Sequence, residues 1–413
     1  MEKVVCVVGV DWGEGKHAYA VRSLEGVENS GQLKTEPETV HEWVRELRVR
    51  HAEGTIVVGL EQSRGALMYA LQRYDFLQLV PINPRAAKAY RDSLYLSGAK
   101  DDPVDAELIR EFVFAHRSML RPWRADEAMT RKLRLLVEGR RTLVDQRTSL
   151  TQALTAALKH FFPQILTWFG PANSRLTRAF LSRWPTLEAA TAARRDAIER
   201  LVRANSRKKP AQIDELVDHV RTTVALTEDR AIIDAMSLLA RSYVTLLDAL
   251  EEPISRYDDE IAELWSEHPD HDVFWSFPGA GPVMGPRLAA AFGTDRDRYQ
   301  HATEIQKYSG IAPVMERSGK QSWTHARWRC PKFLRQSFHE YAEASLPFSP
   351  WACAFYRQQR ERGAGHHAAI RSLAFRWIRI LFHCWKKNVP YDELTHIDNL
   401  KRRHAPIVAR LAA

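Results

Sequence analysis

The chain has 413 residues, of which 45% are hydrophobic and 27% charged, enough for two or three globular domains with sizeable cores. Its formal net charge of +9 favours a polyanionic partner such as nucleic acid, although many basic proteins have none. The sequence contains no uncharged apolar run long enough to predict a membrane span, and no secretory signal precedes its first apolar run. The four cysteines form no Cys-x-x-Cys pair, so no zinc or redox motif is readable, and such scattered thiols fit a reducing cytoplasm.

The first 125 residues alternate strand and helix patterns. β-Branched apolar runs indicate strands, and apolar residues three or four positions apart indicate helices. The predicted strands are Val4–Asp11, His17–Ser23, Val27–Thr35, Thr55–Leu60 and Leu77–Ile82, and the clearest predicted helices are Thr39–Arg50 and Pro103–Phe114. The order β-β-β-α-β-α-β-α predicts a mixed sheet flanked by helices, the RNase H-like arrangement.

The rest of the chain reads as mainly helical. From residue 126 to about 268 the pattern predicts a long helical or coiled-coil region with an insertion near 155–230, and a plain helical bundle fits the same periodicity. Further helices are predicted at Val283–Phe292, Phe333–Ala344 and His366–Lys387. The predicted domains are therefore an RNase H-like (RuvC-like) domain at 1–125, the helical region at 126–268, a mainly α-helical domain at 269–393 and a basic, exposed extension at 394–413.

Four acids lie where this topology converges. Asp11 ends the first strand, Glu61 follows the fourth, and Asp102 and Asp105 open the last helix on one face, three residues apart. Converging carboxylates are the ligands that two Mg²⁺ ions need for phosphodiester chemistry. A competing interpretation is that Asp102 caps the helix before Pro103 and that Asp105 completes the cap.

Short motifs in two blocks of the chain carry a resemblance. The first block comprises Val-Gly-Val-Asp-Trp-Gly at Asp11, Gly-Leu-Glu-Gln-Ser-Arg-Gly at Glu61, Ile-Asn-Pro at Asn83 and Lys-Asp-Asp-Pro-Val-Asp-Ala around Asp102. The second comprises Phe-Pro-Gly-Ala-Gly-Pro at Pro278, Tyr-Ser-Gly-Ile-Ala-Pro at Tyr308 and Arg-Ser-Gly-Lys at Ser318. In this order the motifs resemble the DEDD transposases of bacterial insertion sequences of the insertion-sequence 110 type, which are bridge-RNA-guided recombinases.

The resemblance implies a mechanism and partners. Asp11, Glu61, Asp102 and Asp105 would bind Mg²⁺, and Ser318 of a C-terminal transposase domain would be the nucleophile. Family members assemble as tetramers, in which the serine of one subunit completes the acidic site of another, so a homo-oligomer (a dimer or a tetramer) is expected. They use a structured RNA to select donor and target DNA. Family members often have Lys-Thr-Asp where this chain has Lys-Asp-Asp, which leaves both Asp101 and Asp102 as candidate ligands; we choose Asp102 for its spacing from Asp105.

Two further features of the C-terminal block suit nucleic acid. Gly279 and Gly281 precede a helix and resemble the turn of a helix-hairpin-helix motif, although an ordinary glycine-rich turn has the same sequence. The densest basic and aromatic stretch also lies here and suits phosphate contact with base stacking, although a solvated basic face over buried aromatics is the simpler interpretation. Its basic residues are Arg317, Lys320, Arg327, Arg329, Lys332 and Arg335.

The sequence therefore predicts a transposase or recombinase that cuts and rejoins DNA in the bacterial cytoplasm, without a membrane partner. Ser318 by itself is an ordinary turn residue, with no histidine or aspartate at the spacing of a triad. Two alternatives stay open. One is a RuvC-like nuclease that hydrolyses DNA junctions without rejoining them. The other is a nucleic-acid scaffold with a degenerate acidic site.

Overall fold

The structure, a computed structural model, describes residues 3–26, 28–61, 65–94, 102–319 and 321–411, without the side chain of Asp102. The chain forms two units, Met1–Asp126 and Glu127–Ala413. Asp101, Lys320 and the side chain of Asp102, all named as candidate site residues, lie outside this description. No helix in the described part of the chain is long and apolar enough to cross a membrane.

The first unit is a five-stranded mixed sheet with helices. Its strands lie in the order β3-β2-β1-β4-β5, in which β2 is antiparallel to both β1 and β3, while β1, β4 and β5 run parallel. The elements are, in chain order, β1 (Val4–Asp11), β2 (Lys16–Ser23), β3 (Glu28–Lys34), α1 (Pro37–Arg50), β4 (Thr55–Leu60), α2 (Ala66–Leu71), β5 (Leu77–Pro81), α3 (Pro84–Leu94) and α4 (Asp102–His116).

Different helices cover the two faces of this sheet, because successive residues of a strand point to opposite sides. Val8 and Val10 belong to a core that α1 and α2 complete. Val7 packs on the other side, with Ile109 and Val113 of α4. Both central strands are buried between these layers, and this is why they read in the sequence as nearly continuous apolar runs.

Two glycines allow α4 to lie directly on the central strands. A methyl group at Gly9 would overlap the backbone of Ala106 and Arg110. A methyl group at Gly59 would lie 2.6 Å from the Val113 side chain. The close approach of α4 therefore depends on the absence of side chains at these two strand positions.

The predicted sheet elements agree with the structure, with one omission. Val4–Asp11 and Thr55–Leu60 have the predicted bounds, and the other three strands are found with small differences at their ends. The sequence did not predict α3, none of whose residues are buried.

A long antiparallel helix pair begins the second unit. It consists of α5 (Ala128–Phe161) and α11 (Arg230–Ser266). Thr130 contacts His268 at 2.8 Å and Arg140 forms an ion pair with Asp258. Later residues of α5 therefore contact earlier residues of the partner helix, as in an antiparallel pair. The helical character of this region was predicted, whereas its coiled-coil geometry stays a prediction.

The insertion between the two long helices is also helical. Apolar residues of the inserted helices form one core with the far ends of α5 and α11, including Leu158, Phe180 and Val244. The inserted helices are α6 (Gln164–Phe169), α7 (Arg175–Arg183), α8 (Leu187–Thr191), α9 (Arg195–Asn205) and α10 (Pro210–Thr222).

The C-terminal helices form another core together with the near ends of the long pair. Trp377 and Phe292 are fully buried in it, beside Leu133 of α5 and Trp265 of α11. The division of this unit into predicted domains at residue 268 stays a prediction. The elements are α12 (His271–Trp275), α13 (Gly281–Phe292), α14 (Ala302–Tyr308), β6 (Val314–Ser318), β7 (Gln321–His325), α15 (Lys332–Ala344), α16 (Pro350–Glu361), α17 (His366–Lys387), α18 (Glu393–Arg402) and a 3-10 turn, Pro406–Arg410.

Two expectations for this unit are corrected. The final stretch 394–413 was expected to be an extension, but α18 and the 3-10 turn fold back: Ile407 is buried and Arg410 forms an ion pair with Glu361. Its basic residues at 401–404 are nevertheless exposed, as expected. The segment around Ser318, interpreted as a turn, does turn at Gly319, but the turn joins two strands, β6 and β7, that the sequence did not predict.

Candidate active site

Asp11 and Glu61 lie at the same edge of the sheet. β1 and β4 are parallel neighbours with Val10 opposite Leu60, and the two acids are the next residue of each chain segment. Adjacent strands lie about 4.8 Å apart. The register therefore brings these two acids to neighbouring positions, and both are partly exposed.

The first turn of α4 lies toward this edge. Gly9 faces Ala106, whereas Val7, earlier in β1, packs with Ile109 and Val113. Consequently α4 runs antiparallel to β1, and its first turn lies beyond Gly9, in the direction of Asp11. Strand alternation places Asp11 on the same face as Gly9, the face that α4 covers.

Asp105 is buried in that first turn, with 4% of its surface exposed. Its carboxylate forms an ion pair with Arg91 of α3. A buried carboxylate needs such charge compensation, because burial without a partner is costly. Asp105 therefore does more than complete a helix cap, since its side chain is engaged by a cation from another element.

The described residues do not form a complete metal centre. Within the described ranges, no three side chains of His, Cys, Asp or Glu are close enough to hold a metal ion. The backbone of Asp102 begins α4, but its side chain lies outside the description. The structure thus brings Asp11 and Glu61 to one edge and turns the start of α4 toward them, while the four-acid site stays a prediction.

Sequence reasoning assigned no role at the site to Arg91, Trp12 or His17. The helix that carries Arg91 was not predicted, and no spacing rule connects Arg91 with Asp105. Trp12, which follows Asp11, is 40% exposed and lies with its ring 6.1 Å from that of His17. An exposed indole directly after a strand-end acid was the available signal for a base-stacking group.

His17 supports the turn that follows Asp11. The Gly13 N–H donates a hydrogen bond to His17 Nδ1 at 3.4 Å. Burial lowers the pKa of His17. The neutral ring, which can accept this bond, is therefore the form that suits the turn.

Ser318 is the last residue of β6 and is exposed. It pairs with Gln321 across the hairpin, and Gly319 between them has φ +57°, a left-handed conformation that favours glycine. The register places Ser318 on the face that also carries Glu316 and Trp323, which are joined by a 2.9 Å hydrogen bond from Trp323 Nε1.

Arg317 points to the opposite face of the hairpin, where it pairs with Ser322. Arg317, one of the basic residues expected to contact phosphate, therefore lies next to Ser318 in the chain but on the other face of the hairpin. Lys320, another of these basic residues, lies outside the described residues.

The hairpin and the segment after it present aromatic and basic side chains to solvent. Trp328 is 78% exposed and Trp323 45% exposed, whereas the simpler interpretation of this segment required buried aromatics. Of its predicted basic residues, Arg317, Arg329 and Lys332 are exposed, and Arg327 and Arg335 are partly buried.

The glycines before α13 differ from each other. Gly279 has φ +76°, and a methyl group there would overlap the carbonyl of Ala344, so the protein itself fills the space beside its α-carbon. Gly281 has φ +50° and open space at the corresponding position. Packing explains Gly279, while Gly281 is open to a ligand at the start of α13.

Comparisons with known proteins give a consistent result. A family model described as "Transposase", for the DEDD transposases of IS110 elements, matches residues 8–163. A second model, "Transposase IS116/IS110/IS902 family", matches residues 271–357. Among curated relatives, "Mini-circle putative transposase for IS117" of Streptomyces coelicolor is 27% identical over 98% of both chains. "Insertion element IS116 uncharacterized 44.8 kDa protein" of Streptomyces clavuligerus is 26% identical over 91% of this chain and 93% of the relative.

Proposed function

We propose, from the premise that this chain belongs to the IS110 family of insertion-element transposases, that it cuts DNA strands at a metal-dependent acidic site and rejoins them through Ser318. Transposases are DNA-processing enzymes. The observation that carries the proposal is the shared sheet edge of Asp11 and Glu61, toward which the first turn of α4 is directed.

The strand order supports an RNase H-like first domain. An antiparallel β3-β2-β1 meander is followed by the parallel strands β4 and β5, and a helix crosses the central strands. This arrangement brings the ends of β1 and β4 together with the start of α4. Those are the positions of Asp11, Glu61 and the Asp102–Asp105 pair.

The donor chemistry fits Mg²⁺. Asp11, Glu61, Asp102 and Asp105 offer hard carboxylate oxygens, and the buried Asp105 is already balanced by a cation, Arg91. Bound by these acids, Mg²⁺ would neutralise charge on the scissile phosphate and lower the pKa of the attacking hydroxyl. The chain's part is to hold the four carboxylates on a buried, rigid support and to release Asp105 from Arg91.

Ser318 would attack through its Oγ. The Oγ–P bond forms as the bond from phosphorus to a deoxyribose oxygen breaks, the serine proton is lost, and the leaving oxygen is protonated. The phosphodiester energy is kept in the serine linkage, so a free deoxyribose hydroxyl can reverse the step and join a new strand. The exposed position of Ser318 at the end of β6 supports access to DNA.

Self-association is part of the proposal, and an exposed stripe on α11 supports it. Ile232, Leu239 and Leu246 are 40%, 37% and 50% exposed and lie seven residues apart, with Ala235 and Ser242 at the intermediate positions of a heptad. This spacing is typical of a helix seam that pairs with a second helix.

A structured guide RNA completes the proposal. The exposed tryptophans and arginines of the hairpin and of the segment after it, together with the net charge of +9, support contact with nucleic acid but do not distinguish RNA from DNA. A direct test is to look beside the gene for a transcript whose loops complement the element ends and the insertion site. Its absence would contradict RNA guidance while leaving the DNA chemistry intact.

The central experiment traps the covalent complex. Full-length protein is incubated with Mg²⁺ and end-labelled DNA that carries an element end, and adducts that survive denaturation are digested and sequenced by mass spectrometry. The adduct should be on Ser318 and should disappear in Ser318→Ala, with DNA affinity retained. Ser322→Ala is the matched control, because Ser322 lies on the opposite face of the same hairpin.

Asp11→Asn separates the two parts of the proposal. It should abolish both cleavage and the adduct, because the serine acts only with the acidic site. Cleavage that persists in Ser318→Ala without any adduct would favour the hydrolytic nuclease. Cleavage that is unaffected by Asp11→Asn would overturn the acidic site.

A further inference from the structure

A small cleft, partly open to solvent, lies beside the first turn of α13. The long helices α5 and α11 form its other wall. Arg140, Arg141 and Arg287 all line it, together with Asp258 and the exposed Val283. These residues belong neither to the acidic edge nor to the hairpin that carries Ser318.

Arg287 is the unusual member of this group. Only 6% of the residue is exposed, and its Nη1 donates a hydrogen bond to Glu340. Its Nε and Nη2 are buried and have no hydrogen-bond partner in the described structure. Burial lowers the pKa of Arg287, while the charge of Glu340 opposes this shift. A buried guanidinium with unmet donors is costly unless an anion is supplied.

The acids around the cleft only partly compensate these arginines. Glu340 is shared, because it also accepts from Arg141 Nη1 at 3.1 Å. Asp258 is held by Arg140 through two hydrogen bonds. Asp145, which also pairs with Arg141, is 56% exposed and therefore largely screened by water. The nearly buried cation of Arg287 thus shares one carboxylate with Arg141, and its other contacts are with neutral groups, Met284 Sδ and the Phe333 ring.

The start of α13 adds to the attraction for an anion. The N–H groups of Gly281 and Val283 in the first turn have no acceptor within the helix, Pro282 between them has no N–H, and the helix dipole is positive at this end. Val283 belongs to that first turn and lines the cleft, and Gly281 before it leaves open space for a ligand. Helix starts of this kind bind phosphate when a cation lies beside them.

We propose that this cleft binds one phosphate group of a nucleic-acid backbone, held by Arg287 and the first turn of α13. A phosphate carries several acceptor oxygens and matches the two-pronged Nε and Nη2 edge of arginine. Since both nitrogens are covered in the free chain, side chains at the cleft mouth must move to admit the phosphate, a change that is common at interfaces. The inference depends on family membership for its partner, but not on Ser318 or on the acidic site.

The first test measures the affinity of the full-length protein for a fluorescein-labelled DNA duplex in EDTA, over a series of salt concentrations. Arg287→Gln should weaken binding about ten-fold, as expected for one lost charged hydrogen-bond pair. It should also lower the slope of log affinity against log salt by about 0.9, as expected for one lost phosphate contact. Arg178→Gln is the matched control, because Arg178 is also 7% exposed and ion-paired but lies on α7, outside the cleft. Its slope should match the wild type.

A second variant guards against a folding defect in Arg287→Gln. Val283 is 43% exposed at the cleft mouth, so Val283→Glu adds a negative charge without disturbing the core. It should weaken DNA binding, whereas the neutral Val283→Gln should not. If Val283→Glu binds as tightly as Val283→Gln, or if Arg287→Gln lowers the melting temperature with an unchanged salt slope, Arg287 is purely structural and the proposal is overturned.

Inorganic phosphate distinguishes the source of the ligand. If phosphate raises the melting temperature of the wild type but not of Arg287→Gln, and the DNA salt slope also falls in the variant, the cleft takes backbone phosphate. If the phosphate effect is lost while DNA binding is unchanged, the cleft binds a free anion, and the assignment to nucleic acid is overturned.

Discussion

The acids at the sheet edge and the serine of the hairpin are carried by opposite kinds of support. β4 is buried along its whole length and β1 over most of it, and α4 is pressed against both at Gly9 and Gly59. By contrast, every residue of β7 is exposed, and so are all residues of β6 except Val314. A lone two-stranded hairpin is only marginally stable in water.

This difference suits the two proposed chemical roles. Metal ligands must be held within about 0.5 Å of their working positions, which buried strands achieve. A nucleophile that becomes joined to DNA benefits from a support that orders on binding. We therefore expect the first unit to be sensitive to packing and the hairpin to be sensitive to its partners, and the following variants probe that comparison.

The largest effect is expected from Gly9→Val. Its side chain would overlap the backbone of Ala106 and Arg110, which cannot yield as a flexible side chain does. We expect a loss of about 3 kcal/mol or more in the stability of the first unit. Hydrogen exchange should show β1 and β4 unprotected while the second unit keeps its protection.

Gly319→Ala is the matched change in the hairpin. Gly319 has φ +57° and open space around it, so the cost should be about 1 kcal/mol and confined to the hairpin. If Gly319→Ala unfolded the second unit, or if Gly9→Val left β1 protected, the comparison between rigid and adaptable supports would fail.

The next effect concerns assembly. Leu239→Glu would put a charge on the exposed stripe of α11 and should weaken self-association by about 2–3 kcal/mol for each copy. Light scattering should then show a monomer at concentrations where the wild type is assembled. Arg241→Glu, on the same helix but away from the stripe, should leave the mass unchanged. Equal masses for Leu239→Glu and the wild type would exclude this stripe as the seam.

A smaller effect is expected at Arg91. Arg91→Gln removes the cation that engages Asp105, so Mg²⁺ or Mn²⁺ should bind about ten-fold more tightly, the equivalent of one competing interaction of about 1.4 kcal/mol. Isothermal titration measures this directly. Arg85→Gln, an exposed change on the same helix, is the control. Metal affinity that is unchanged or weaker in Arg91→Gln would contradict a competing role.

The smallest effect is a pH dependence at His17. Its pKa in the folded chain is below the ordinary value of 6.5, so the unfolded chain binds more protons between the two values. The stabilisation is therefore complete above pH 6.5 and is lost as the pH falls below it. The first unit should lose stability between about pH 7.5 and about pH 5.5, and this loss should be smaller in His17→Phe than in the wild type. Hydrogen exchange at several pH values measures it. An unchanged slope would show that other groups cause it.

Much of the first unit could be predicted from the sequence. Val4–Asp11 and Thr55–Leu60 were predicted with their observed bounds, because strands that are buried on both faces consist of apolar, β-branched residues. β6 and β7 were missed for the converse reason: they bury almost nothing, so no apolar alternation marks them. The helix α3, none of whose residues are buried, was missed as well.

The candidate site was only partly predictable. That Asp11 and Glu61 end strands is a local fact that the sequence contains, and the transposase motifs are local as well. By contrast, Ser318 faces away from Arg317 because both belong to a strand, and the sequence did not predict that strand.

By itself, the sequence determined the strand and helix periodicities, the strand-end acids and the family, because these depend on residues close together in the chain. Only the tertiary structure decided the seating of α4 on Gly9, the ion pair of Arg91 with Asp105 and the arginine cleft around Arg287. The physical reason is that steric overlap, charge compensation and desolvation depend on distance in space. Arg141 and Glu340, for example, form an ion pair although they lie far apart in the chain, and no sequence pattern predicts it.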